Sequence, residues 1–312
     1  VNEFDGYMSS KRHSILTVLI IILVVAVVLG STMVMVMKSL SPSSAPFFSE
    51  KIGVIPVEGT ISSSQTVTSD LVKFRKDTDI KAIVLKINSP GGAIAPSQEI
   101  YREIEKTTPV KKVVVSMGTV AASGGYYIAA AASKIVANPG TITGSIGVIM
   151  EFVRVEDLLN KIGVDLEIMK SGEFKDIGSP DRKMTQRERE ILDAMIMDIQ
   201  KQFEEAIVRG RRIPLEQVRE IADGRIFSGA RAKELGLVDV LGNFQDAVEI
   251  TKELAGIKGD VTLVYAKKRR LEVLDLLVET GARFIAGVLR NLEGRIEYRW
   301  DGASGFDIKE SY

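Results

Sequence analysis

The sequence predicts an α/β domain built on a mostly parallel sheet, with a helical annex behind it and a transmembrane helix in front. Three observations carry this. Short β-branched runs alternate with helix-length stretches, a capping box opens a long amphipathic run late in the chain, and 23 successive residues near the start carry no charge. The β-branched runs are Ile52–Val57, Ala82–Ile87, Val113–Met117, Lys134–Ala137, Ile146–Met150, Val164–Met169 and Val261–Tyr265. Between several of them lie Asp70–Asp77, Pro96–Lys106 and Val120–Ala132, long enough for helices, which is the pattern of βαβ units. Functional groups then belong in the loops that follow the strands.

Thr185 and Glu188 form a capping box, after which Ile191, Leu192, Met195, Ile199, Phe203 and Ile207 recur at helical spacing until Gly210. A second helical unit runs through Ser228–Leu235 with Gly236 after it, and a third through Phe244–Ala255 before Gly256. Apolar residues recur on one face from Leu271 to Leu289, behind the basic cluster Lys267–Arg270. A packed surface helix is the plainest reading there, with a subunit or membrane-surface contact as alternatives. The tail Asp301–Tyr312 is polar.

The apolar run Ile15–Met37 exceeds the roughly 20 residues that cross a hydrocarbon core and is apolar on every face, so it reads as a transmembrane helix. A buried core helix and a cleaved signal peptide are the weaker alternatives. Lys11, Arg12 and His13 precede the run and Lys38 alone follows it closely, which places the N-terminus in the cytoplasm and the rest outside the cell membrane. The expected organisation is a short cytoplasmic N-terminus over 1–14, the membrane helix over 15–37, a Ser/Pro linker over 38–49, the folded α/β domain over 50–265, and a C-terminal helix and polar tail over 266–312.

Composition narrows the chemistry. The chain of 312 residues has 41 Lys+Arg against 41 Asp+Glu, so its net charge gives no electrostatic case for nucleic acid. It has no cysteine, which excludes thiol nucleophiles and cysteine-ligated zinc. Its one histidine, His13, precedes the apolar run, so a Ser-His-Asp triad cannot be assembled within the chain. A hydrolase of this composition needs lysine or a carboxylate as its base.

Asn88-Ser-Pro-Gly-Gly92 follows the strand Ala82–Ile87, and paired glycines there let backbone N–H groups face an oxyanion, although a tight strand-to-helix turn explains them equally well. Ala121-Ala-Ser-Gly-Gly125 follows the strand Val113–Met117, placing Ser123 at a turn lined by residues too small to block it. Small-residue packing between helix and sheet is the bland account of that turn. Serine needs a base to become a nucleophile. Lys170, Lys175 and Lys183 all fall in the loop-like stretch Met169–Met184, and spacing alone does not choose among them. A lysine base must shed its proton near neutral pH, which demands a dry, closed site. Ser145, in Gly144-Ser-Ile-Gly147, could hydrogen-bond such an amine.

Taken together in order, Asn88-Ser-Pro-Gly-Gly92, Ser116-Met-Gly118, Ala121-Ala-Ser-Gly-Gly-Tyr-Tyr-Ile128, Gly144-Ser-Ile-Gly147, Lys170-Ser-Gly-Glu-Phe-Lys-Asp176, Asp223-Gly-Arg-Ile-Phe-Ser-Gly229 and Leu235-Gly-Leu-Val-Asp239 resemble the signal peptide peptidase A family. The resemblance spans about residues 52–255 and stops there. It implies a Clp-protease/crotonase-like repeated βαβ fold, an N-terminal membrane anchor, and assembly of the chain into a ring or dome. It implies a serine endopeptidase with a Ser/Lys dyad, needing no cofactor, that cleaves signal-peptide remnants and other apolar extended peptides. By motif position Ser123 corresponds to the nucleophile, Lys175 to the general base, Gly92 and Gly124 to the oxyanion N–H groups, and Ser145 to the serine that supports the lysine. The interval from Ser123 to Lys175 is 52 positions, as in the short, single-module form. Alternatives are a membrane serine protease specialised on one membrane-protein partner, an acyl-CoA enzyme on the same fold, and a non-catalytic peptide-binding scaffold.

Overall fold

The computed structural model describes Ile21, residues 23–33, residues 49–266 and the backbone of Arg295–Arg299. Val1–Ser49 and Glu50–Tyr312 are separate compact units. In the first, the described residues 23–33 are helical and expose apolar side chains such as Leu23, Val27 and Leu29. Among the described residues no helix is long and apolar enough to cross a membrane; the remainder of 15–37 lies outside them.

The second unit is mixed α/β with a parallel-rich sheet. Strands β1 (Glu50–Glu58), β2 (Ile80–Ser89), β4 (Val113–Ala122), β5 (Lys134–Ala137), β9 (Val240–Leu241) and β10 (Val261–Tyr265) lie in the order β10-β1-β2-β4-β5-β9, all parallel. Ile52, Val54, Ile83, Val84, Leu85, Val114 and Val115 are fully buried, as expected of strands covered on both faces. Off this path, β6 (Ile142–Gly144) continues beside the end of β4 and pairs antiparallel with β8 (Ile226–Ser228). A second, three-stranded sheet holds β11 (Arg295–Arg299) between β3 (Gly91–Ala93) and β7 (Ile149–Glu151), antiparallel to both.

Helices α1 (Gln65–Lys76), α2 (Ile94–Thr107) and α3 (Gly124–Ala130) connect the first strands. The long helix α5 (Gln186–Arg211) follows the short α4 (Glu156–Ile162), and α6 (Leu215–Ile221), α7 (Gly229–Glu234) and α8 (Phe244–Ala255) follow among the described residues. Phe203 and Ile207 of α5 are buried, and the Tyr127 ring lies between Phe203 and Tyr101, with centroids 4.9 and 5.1 Å away. Burial pushes the Tyr127 phenol up to about 12, so it stays neutral while it packs. Tyr126 reaches the other way and donates to Leu237 O at 3.0 Å. Two aromatic side chains thus fix the helix that follows Ser123.

Several boundaries depart from the sequence pattern for identifiable reasons. Val164–Met169 forms no strand: residues 163–173 are exposed and, among the described residues, no strand lies alongside to complete a ladder, so the alternation has no face to bury. The strand expected over Ile146–Met150 begins only at Ile149, because Ser145 has a positive φ of 50° and bends the chain before it. The helix expected over Val120–Ala132 is a strand as far as Ala122 and a helix only from Gly124. Gly210 does not end α5, which runs on to Arg211. Its role is steric, since a Cβ there would lie 1.9 Å from Ala130 O. The Thr185 capping box and the αL glycine after Ala255 are present as the residue types require. The helix expected over Leu271–Leu289 lies outside the described residues.

Candidate active site

Ser123 sits where β4 ends and α3 begins. Its φ of 53° and ψ of −118° are those of the first central position of a II′ turn, where glycine is the usual residue. Holding serine there costs on the order of 1–3 kcal/mol, so the surroundings must impose it. They do so through the backbone: Ser123 N–H donates to Gly144 O at 2.8 Å, and Ser123 O accepts from Tyr127 N–H at 2.8 Å. Ser123 is fully buried and its Oγ has no hydrogen-bond partner among the described residues. A buried hydroxyl without a partner is costly, and it marks a group kept for chemistry rather than stability.

Gly91 and Gly92 lie against this turn. Ser89 Oγ accepts from Gly91 N–H at 3.1 Å, while Ile61 donates its N–H to Gly91 O and accepts from Ala93 N–H, both at 2.8 Å. The pairing with Ile61 is close: a Cβ on Gly92 would lie 2.3 Å from Ile61 O. Gly124 faces the same place, for a Cβ on it would meet Ser97 Oγ at 2.7 Å and Gly92 N at 3.2 Å. The fold therefore brings Gly92, Ser123 and Gly124 together, with glycine required at two of the three positions.

Ser145 is adjacent to Gly144, whose carbonyl holds Ser123 N–H. Its own φ is 50°, and its N–H donates to Arg225 O at 2.8 Å across the β6–β8 pair. The loop from 163 to 184 carries the three lysines, and the structure separates them. Lys170 Nζ is engaged by Asp176 Oδ1 at 2.5 Å and by Glu173 O at 2.9 Å. Lys175 and Lys183 are exposed. Lys175 donates its backbone N–H to Gly172 O at 3.2 Å, and its Nζ is not hydrogen-bonded to Ser123 Oγ. The single chain thus assembles the serine and the two glycines, and leaves Lys175 on the surface.

Other residues that build the site carry weak signals in the sequence. Asn88 Oδ1 accepts from Val120 N–H at 3.2 Å, tying the end of β2 to β4 just before the nucleophile turn. Thr143 Oγ1 donates to Ala121 O at 2.7 Å, and Ser97 Oγ to Ala93 O at 2.9 Å. Asn88 at the head of its Pro-Gly-Gly segment and Thr143 beside Gly144 were findable as polar residues at strand ends. Ile61 was not, because its contribution is entirely backbone.

A strained, buried serine at a strand-to-helix turn, facing a glycine strand on a parallel-rich sheet, is the arrangement of a serine peptidase with a Clp-protease-like fold. Comparison with known proteins agrees. The peptidase family S49 profile matches residues 105–258 and the Clp protease profile residues 42–141. A putative protease of Synechocystis is 44% identical over 212 residues, covering 68% of this chain and 76% of its own. A putative protease of Methanocaldococcus jannaschii is 34% identical over 230 residues, 72% of this chain and 74% of its own. A putative signal peptide peptidase SppA of Enterococcus faecium is 39% identical over 193 residues, 61% of this chain and 55% of its own. The chain belongs to peptidase family S49, among the SppA-type serine peptidases.

Proposed function

We propose that this peptidase is a membrane-anchored endopeptidase that uses a Ser123/Lys175 dyad to cleave extended apolar peptides, signal-peptide remnants among them. The observation that carries the reading is the buried, partnerless Ser123 Oγ beside the Gly92 and Gly124 backbones. In the reaction, the neutral Lys175 amine takes the Ser123 hydroxyl proton as Oγ bonds to the peptide carbonyl carbon. The Gly92 and Gly124 N–H groups face the oxyanion that forms. Lys175 then gives the proton to the departing amine as the C–N bond breaks, next takes one from the water that attacks the ester carbonyl, and returns it to Ser123 Oγ as the C–Oγ bond breaks. Ser145, beside the carbonyl that holds Ser123, supports the lysine.

Lys175 is exposed in the single chain and a lysine base needs a dry, closed site, so the dyad needs a second event that encloses it. Leu158, Ile162, Val164, Leu166, Ile168 and Met169 are exposed on the same segment, Met169 by 94%. Packing of this apolar surface between copies in a ring or dome would exclude water around Lys175 and supply the dry site. Anchoring is supported by the uncharged run Ile15–Met37, and the basic residues before it favour a cytoplasmic N-terminus with the catalytic unit outside.

An extended substrate is supported by β11, which lies antiparallel between β3 and β7 with Tyr298 opposite Gly92. A peptide adding itself to the glycine strand would take that same place. Removal of residues 295–312 is therefore expected to lower the KM for an apolar peptide several-fold with kcat unchanged, measured beside the full chain.

The test of the function is mass spectrometry of an apolar signal peptide incubated with the full chain in detergent and with Lys175→Ala. Cleavage by the parent and loss of at least about 10³-fold in the variant, with the fold intact by circular dichroism, is the expected result. Undiminished cleavage by Lys175→Ala removes that residue from the mechanism, and no cleavage by either favours the peptide-binding scaffold.

A further inference from the structure

We infer that Arg182 is the positioning residue for Lys175, latching the lysine's loop to the start of α5; this rests on the reading of Lys175 as the base. Away from Arg182 the loop is tied to its neighbours by the Val155 N–H bond to Pro180 O at 2.7 Å and by the Arg187 guanidinium 5.2 Å over the Phe174 ring. None of residues 163–184 is buried, and 164–170 have no regular structure, so apolar packing does not set the position of Lys175. Charge does. Arg182 Nε donates to Asp176 Oδ2 at 3.0 Å, and Asp176 directly follows Lys175. The other end of the same guanidinium donates to both carboxylate oxygens of Glu188, at 2.9 Å to Oε2.

Glu188 is itself built into the helix. Its Oε2 accepts from Thr185 N–H at 2.8 Å, and its N–H donates to Thr185 Oγ1 at 3.2 Å, closing the capping box. The Glu188 side chain is 2% exposed, that of Asp176 11% and that of Arg182 28%, so this bridge is shielded from solvent, unlike a surface ion pair. Arg182 and the backbone cap together hold the Glu188 carboxyl down at about 2, and Arg182 with Lys170 holds that of Asp176 well below the ordinary range. A second tie is looser. Arg187 reaches Glu173 Oε1 at 2.9 Å, but both side chains are more than half exposed. The Arg182 bridge thus runs from the N-terminal cap of a 26-residue helix to the residue beside the base.

A planar fork that bonds two carboxylates at once is replaced only in part by a point charge. The experiment is steady-state kinetics of the full chain on a fluorogenic apolar peptide, comparing the parent with Arg182→Gln, Arg182→Lys, Asp176→Asn and Lys175→Ala. Arg182→Gln is expected to lower kcat about 10–100-fold with KM within about twofold, the signature of a displaced base and not of a lost binding contact. Arg182→Lys recovers part of the loss. Asp176→Asn cuts the loop end of the bridge, and the Lys170 contact with it, but leaves the Glu188–Arg182 pair, so it keeps the test open if Arg182→Gln folds poorly; its kcat falls at least about fivefold. Parental kcat in both Arg182→Gln and Asp176→Asn, a loss carried by KM, or a loss equal to the unfolded fraction overturns the inference. Lys175→Ala separates the two levels. If it retains the parental kcat, the base reading falls and the positioning role with it; if it is inactive while the other variants are undiminished, only the positioning role falls.

Discussion

Ser123→Ala is expected to lower kcat by about 10⁶-fold and, in the same molecule, to leave the melting temperature unchanged or higher. The two effects have one origin. Ser123 Oγ is fully buried and has no hydrogen-bond partner, so deleting it removes the nucleophile together with an unsatisfied polar group worth about 1–3 kcal/mol of desolvation. Ser123→Gly should melt higher still, because its backbone relieves the positive φ of 53°. Labelling by a fluorophosphonate probe and a thermal melt on the same samples read both quantities. A variant that keeps its activity would move the nucleophile elsewhere; one that loses both activity and fold would show that the hydroxyl is structural.

The second large effect belongs to Gly92→Ala. The added Cβ would lie 2.3 Å from Ile61 O and 2.6 Å from Ile61 N, both backbone atoms that cannot rotate away. Strand β3 must separate from Ile61, losing the Ile61–Gly91 and Ala93–Ile61 hydrogen bonds that set the height of the glycine N–H beside Ser123. A loss of about 10²–10³ in kcat follows from removing one oxyanion donor. A destabilisation of about 1–3 kcal/mol accompanies it from overpacking. Gly140→Ala is the control, since nothing lies within 4 Å of its Cβ and it should change neither quantity. Equal kcat in Gly92→Ala and the parent would remove Gly92 from the oxyanion site.

How far the sequence reached depends on the range of the forces involved. The strands β1, β2, β4, β5 and β10 and the helix Phe244–Ala255 were legible because β-branched runs, capping residues and αL glycines act within a few positions. Short pairings such as β3, β6, β8 and β9 were not, because three residues become a strand only when a distant segment lies beside them. Val164–Met169 failed for the converse reason: its alternation is local, and among the described residues no strand lies beside it. At the site, Ser123, Gly92 and Gly124 could be located from their motifs, and the structure puts them side by side. The choice of Lys175 over Lys170 and Lys183 came from family resemblance, and nothing in the residue pattern carried it. The structure adds that the Lys170 amine is engaged by Asp176 and by Glu173 O, whereas those of Lys175 and Lys183 have no such tie among the described residues. The bridge through Arg182 was invisible in sequence because Asp176, Asp181, Arg182, Lys183, Arg187 and Glu188, six charged residues in thirteen positions, read as a solvated loop.

The sheet order has a consequence for synthesis. Strand β1 opens the second unit, yet one of its two neighbours is β10, paired from Glu50 with Val261 to Val54 with Tyr265. About two hundred residues must leave the ribosome before that edge is covered, roughly 10–40 s at ordinary elongation rates. During that time Ile52 and Val54 sit on a strand with one open side, a template for any other nascent chain. Pairings this remote in sequence also close slowly. The nascent domain should therefore need a holding chaperone until Tyr265 emerges, and ribosome-bound chains arrested before Val261 should be protease-sensitive across β1 while those arrested well beyond Tyr265 are protected.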